Sequence, residues 1–84
     1  MKDITKPEFE KEYSEYQLRY IEEYKELKEK YNKLVKKLIK YDAGTLEFVP
    51  YCPIEILKEQ EEYMRKYLRC LRIRAEIENV ILPE

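Results

Sequence analysis

The sequence predicts an all-α fold: a long antiparallel helical hairpin, with a short or bent N-terminal helical segment, that assembles into a homo-oligomeric helical bundle. Three observations predict it. Charged residues make up 42 % of the 84 residues, and the chain has one glycine and no tryptophan, a balance that suits long helices and not strands and turns. Apolar residues recur every three or four positions from Phe9 to Tyr41, the spacing that lines one face of a helix. A second such run, PIEILKEQEEYMRKYLRCLRIRAEIENVIL at 53–82, carries more apolar surface than a single neighbouring helix covers.

The first helix is expected at about 7–41. Thr5 and Glu8 have capping-box spacing and Pro7 suits a first turn, where its missing N–H costs nothing. From there Phe9, Tyr13, Tyr16, Tyr20, Tyr24, Leu27, Tyr31, Leu34, Leu38 and Tyr41 form the ladder. The step from Tyr20 to Tyr24 adds one residue to the repeat, which either only relaxes the supercoil or marks a break or bend within 15–20, the favoured reading. Glutamates load the early part and Lys30, Lys33, Lys36, Lys37 and Lys40 the end, which complements the helix macrodipole. Asp42-Ala43-Gly44 closes the helix, with the only glycine where a left-handed residue is needed.

The connection is expected at 42–52. Its apolar Leu46 and Phe48 are expected to plug the gap between the helices, while Pro50 and Pro53 keep the backbone extended. The second helix is expected at about 53–81, with Pro53 at its first position. At about 100° per residue, Ile54, Leu57, Met64, Leu68, Leu71 and Ala75 share one stripe. Ile56, Tyr63, Tyr67, Cys70, Ile77 and Ile81 form another beside it. Residues 1–84 thus read as one helical-hairpin domain.

So short a connection forces the helices antiparallel, with residue 40 beside residue 55. That register sets the acidic stretch 22–29 against Lys66, Arg69, Arg72 and Arg74, so opposite charges are expected to face each other. It also leaves Phe9, Tyr13 and Tyr16 beyond the end of the second helix. Together with the spare stripe they would form an exposed apolar patch of the kind that marks an interaction site. A homo-oligomer interface is therefore expected at Phe9, Tyr13, Ile56, Tyr63, Tyr67, Cys70, Ile77 and Ile81.

Enzyme chemistry finds little footing. There is no histidine to act as a base near neutral pH, and the single glycine excludes phosphate-binding glycine motifs. Cys52 and Cys70 lack metal-ligand spacing. On one helix they lie about 27 Å apart, too far to bridge, so free thiols and a cytoplasmic setting are expected. Cys70 reads as a small core residue. No cofactor or metal is expected, no signal-peptide pattern opens the chain, and no apolar run reaches membrane-spanning length. A net charge of −1 gives no field to attract a DNA or RNA polymer.

Two features could bind something. Arg65, Arg69 and Arg72 share a face of the second helix. They form either a solvated face paired with Glu61, Glu62 and Glu76 or a site for an anion, since guanidinium forks suit phosphate. The tyrosine ladder is either a core stripe with hydroxyls at its rim or, at Tyr13, Tyr16 and Tyr20, a platform for a nucleobase, with Arg19 beside it.

The runs ELKEKYNKL (26–34), GTLEFVPYCPIEILKEQEEYMRKYL (44–68) and RCLRIRAEIE (69–78) resemble a family of small helical-hairpin proteins of tailed phages and prophages, related to a crAss-like phage reading frame. The architecture is similar to that of the anti-CBASS and anti-Thoeris sponges, oligomers that sequester cyclic-nucleotide immune signals between subunits. The resemblance implies a non-enzymatic phage accessory protein in the host cytoplasm that counters antiviral defence. Its ligand would be a cyclic di- or trinucleotide at Tyr13, Tyr16, Arg19, Tyr20, Arg65, Arg69 and Arg72. The alternatives are an inhibitor that binds a host defence protein, including an anti-CRISPR role, and a structural phage protein.

Overall fold

In a computed structural model that describes residues 12–83, two helices run side by side and antiparallel. They are α1 (Glu15–Ala43) and α2 (Ile54–Glu78), and among the described residues there is no strand. The first helix starts later than expected. The Ser14 hydroxyl accepts from the Gln17 N–H at 3.2 Å, and the Gln17 side chain accepts from the Ser14 N–H at 3.0 Å. This capping box satisfies donors that a helix end otherwise leaves open, and residues 12–14 ahead of it are not helical. No break interrupts 15–20, since α1 is helical throughout that stretch. The proposed Thr5–Glu8 box, Pro7 and Phe9 lie outside the described residues.

At its other end α1 closes as its sequence requires. Gly44 adopts φ 78°, its N–H donates to the Tyr41 carbonyl at 3.1 Å, and the Thr45 N–H donates to Lys40 at 2.8 Å. These two bonds make the Schellman pattern, and glycine reaches its left-handed residue without steric cost. The connection departs from expectation. Leu46 is half-buried, but Phe48, Val49 and Tyr51 are exposed, so Phe48 plugs no gap. Leu38 is already buried toward that end, and Phe48 instead lies against the Lys37 ammonium, 5.8 Å from its ring centroid.

Pro53 caps α2 from just outside, accepting from the Ile56 and Leu57 N–H groups at 3.0 and 3.4 Å. The helix stops at Glu78, short of the expected 81. Asn79 takes the left-handed conformation, φ 58°, and the Val80 N–H donates back to Ala75 at 2.8 Å. Val80 and Ala75 are both buried in one cluster, the apolar contact that accompanies such a cap. Residues 80–83 then form a non-helical tail whose Ile81 N–H donates to the Tyr13 hydroxyl at 2.9 Å. Ile81 therefore leaves the helical stripe assigned to it, and Tyr13 is half-buried under the tail instead of uncovered.

The core is Tyr20, Tyr24, Leu68, Leu71, Ala75 and Val80, with Leu27, Tyr31 and Leu82 packed against it. The register agrees with expectation: Tyr16 meets Glu78, Tyr31 meets Glu61 and Asp42 meets Lys58. What joins the helices differs. Among the described residues, only Lys58–Asp42, at 3.2 Å, is an ion pair between helices. Arg19–Glu15, Lys25–Glu22, Arg65–Glu61, Lys66–Glu62 and Arg74–Glu78 each stay on one helix. Long charged side chains find a neighbour one turn away more readily than one across a seam. The crossing contacts are tyrosine hydroxyls, which reach from the core to its rim.

The two stripes of α2 separate cleanly. Leu68, Leu71 and Ala75 are buried against α1, while Ile56, Tyr63, Tyr67, Cys70 and Ile77 are exposed. Cys70, expected as a core residue, lies on the exposed face of the hairpin, and both cysteines are free thiols.

Candidate functional site

Basic and aromatic side chains meet on both flanks of the hairpin, and they are used differently on each. On one flank Arg74 lies over the buried Tyr20 ring, 4.6 Å from its centroid, and 5.9 Å from that of Tyr16. It donates to the Tyr16 hydroxyl and sits 3.9 Å from Glu78, to which Tyr16 also donates at 3.1 Å. The Tyr16 and Tyr20 rings are stacked, 6.5 Å apart at 11°. The bond to Tyr16 is the main cause that raises the Arg74 pKa above its ordinary value. Every part of this group has a partner, and it closes the seam.

A second group is equally engaged. Arg65 holds both oxygens of Glu61, at 3.1 and 2.9 Å, and Tyr31 donates to the same carboxylate at 2.8 Å. Burial, then the Glu61 hydrogen bond, raises the Tyr31 pKa.

The opposite flank is built around Tyr24. Its ring is buried, Arg72 Nε donates to its hydroxyl at 3.3 Å, and the Arg72 guanidinium lies 5.8 Å from the ring centroid. The Lys28 ammonium, one turn further along α1, lies 5.7 Å from the same centroid. The electron-rich ring face attracts both cations. Two clefts share Tyr24. One, of about 360 Å³, is lined by Tyr24, Arg72, Ala75, Glu76, Val80, Ile81 and Leu82. The other, of about 480 Å³, is lined by Tyr24, Lys25, Lys28, Glu29, Asn32 and Pro83. Both fall in the size range of small-molecule sites. The turn at Asn79 brings the tail to them as an apolar wall, and the helices supply the cations.

The expected ligand residues scatter in this arrangement. Tyr20 is 3 % exposed and donates to the Leu71 carbonyl, so its ring offers no platform for a base. Tyr13 is taken up by the tail and Arg65 by Glu61. Tyr16 keeps an exposed ring on the Arg74 flank, and Arg19 pairs with Glu15 at 3.9 Å in solvent. Arg72 is brought to the cleft beneath the tail. Arg69, exposed, makes no hydrogen bond or ion pair among the described residues and shares the Arg72 face. Tyr24, Lys28 and the tail, which line these clefts, fall outside the expected set. The spacing of Tyr24 and Lys28, one turn apart, together with the antiparallel register that sets Arg72 beside Tyr24, contained that signal.

No group of metal-ligating side chains occurs among the described residues, and no described helix is long and apolar enough to cross a membrane. The family model described as Sequestin matches residues 14–77, from the cap of α1 to the last turn of α2. No curated protein and no solved structure matches the chain.

Proposed function

Since the chain belongs to the Sequestin family, we propose that it acts by holding a signal molecule out of circulation, without converting it. The ligand is an anionic nucleotide signal of host antiviral defence, of the cyclic di- or trinucleotide class, and the protein is a phage accessory protein that works in the host cytoplasm. The family name supports sequestration. The observation that carries the site is the convergence of Arg72 and Lys28 on Tyr24 between two clefts. Phosphate oxygens meet these cations, with Arg69 one turn away, and the base lies against the tail's apolar wall.

Calorimetry against cyclic di- and trinucleotides, with inorganic phosphate as control, tests the reading. A nucleotide binds and is recovered intact after heat release of the protein. Arg72→Glu weakens binding about tenfold or more, the value of a charge-assisted hydrogen bond, with helicity by circular dichroism unchanged. At a hundredfold excess over the dissociation constant a true ligand stabilises the fold by about 2.7 kcal/mol. A panel in which no nucleotide raises the melting temperature overturns the proposal. The exposed stripe of α2 favours a second reading, a module that covers a host defence protein.

A further inference from the structure

The tail at 80–83 stands between the Tyr24 flank and a further space. Val80, Ile81 and Leu82 wall one Tyr24 cleft, and Pro83 walls the other. Ile81, Leu82 and Pro83 also wall a third cleft, of about 390 Å³, with Tyr13, Leu18, Ile21 and Lys25. Lys25 lines both this cleft and the larger Tyr24 cleft, so the two spaces adjoin. Close-packed interiors leave few voids. A segment with a cleft on either side can shift sideways without first breaking up the core.

Few contacts keep the tail in place. Its root is fixed, since Val80 is buried and its N–H donates to the Ala75 carbonyl at 2.8 Å. One residue further, the Ile81 N–H donates to the Tyr13 hydroxyl at 2.9 Å, and Leu82 rests on the core. Tyr13 is itself well anchored. It directly precedes the Ser14 capping box, and its half-buried ring packs against the core cluster. The fold therefore sets the position of its hydroxyl before any ligand arrives.

We propose that the tail is a latch over the nucleotide site and that Tyr13 is its positioning residue. The hydroxyl holds Ile81 so that the tail faces the Tyr24 flank, and a bound nucleotide leaves when that bond opens. Tyr13 lines neither Tyr24 cleft, so it acts through the tail and not as a stacking platform. The proposal rests on the sequestration reading and adds to it what governs release.

The test compares the full chain with Tyr13→Phe, which keeps the ring and removes the hydroxyl. The probes are cyclic di-AMP, cyclic di-GMP and cyclic tri-AMP. In the free protein the Ile81 amide exchanges about fivefold faster in the variant, the worth of one neutral hydrogen bond, with helicity unchanged. For a probe that binds the wild-type chain, the off-rate rises about fivefold and the on-rate does not fall. A merely structural loss acts the other way, because fewer competent chains cut the apparent on-rate and leave the off-rate alone. Leu82→Ser, which loosens the tail from its core side, raises the off-rate as well. Unchanged exchange at Ile81 in Tyr13→Phe overturns the latch. So does an off-rate that stays the same in both variants while that exchange speeds up. Failure of all three probes on the wild-type chain sinks the latch and the sequestration reading together. Binding by the wild-type chain with the same rates in Tyr13→Phe sinks the latch alone.

Discussion

Leu71→Ala should remove a large share of the stability of this hairpin. Leu71 is 1 % exposed, and it sits in the cluster with Tyr20, Tyr24, Leu68, Ala75 and Val80 that forms most of the core. Truncating a buried leucine costs the transfer energy of the lost carbons and leaves a cavity, together roughly 2.7–5 kcal/mol. The hairpin is thin, so neighbours can partly close the gap, and the lower end, about 3 kcal/mol, is expected. A chain of this length holds only about 4–13 kcal/mol in total. For a domain of 60–100 residues each kcal/mol moves the melting temperature by about 4–8 °C, so a fall of about 12–24 °C follows. Ile77→Ala is the matched control. It removes a similar side chain from the same helix, but one that is 78 % exposed, and at low micromolar concentration it should cost no more than about 0.5 kcal/mol. Urea melts followed by helical ellipticity measure both, and a concentration series separates folding from association. Equal losses from the two substitutions, persisting on dilution, would refute the division of α2 into a buried and a free stripe.

Alkaline pH should loosen the fold. Burial raises the pKa of Tyr20 and, with Glu61 beside it, that of Tyr31. The folded state therefore holds these protons more tightly than the unfolded state, and stability from this source is full below about pH 10 and lost as pH rises through the folded pKa values. Melting temperature should be flat from neutral pH to about 9.5 and then decline, less steeply in Tyr31→Phe; a rise above pH 10 would contradict the sign. Ser14→Ala should cost about 1 kcal/mol, the usual value of a lost N-cap, and should speed hydrogen exchange at residues 15–18 before the rest of α1. No change there would place the helix start elsewhere.

Periodicity and stop signals made most of the hairpin legible, because they act within a few residues of where they are written. Gly44 ends α1 through its own backbone freedom, and the ladder from Tyr20 to Leu38 becomes the buried face because its spacing admits no other. The errors lie where two separated pieces of chain compete for one surface. Residues 79–82, NVIL seen as a continuation of α2, carry a helical apolar period, and nothing local before Pro83 forbids more helix. What ends it is that Asn79 tolerates the left-handed turn and Val80 is then buried beside Ala75, a gain visible only with α1 in place. Tyr13 looked uncovered for the same reason, since its cover is that tail.

Which arginines are already engaged is illegible in the sequence for the same reason. Helical spacing correctly grouped Arg65, Arg69 and Arg72, yet a shared face says nothing of which guanidinium is already spent. Glu61 takes Arg65 on its own helix, while Arg72 is drawn across the seam to Tyr24. Arg74, which falls outside that spacing, closes the opposite flank over Tyr20. Each tyrosine thus decides which arginine is structural. Arg74 covers the Tyr20 ring, donates to the Tyr16 hydroxyl and pairs with Glu78, so that cation is already engaged. At Tyr24, two cations, Lys28 and Arg72, lie 5.7 and 5.8 Å from one ring centroid, and an anion beside both would offset their repulsion. That imbalance is the physical reason to look for the ligand on the Tyr24 flank.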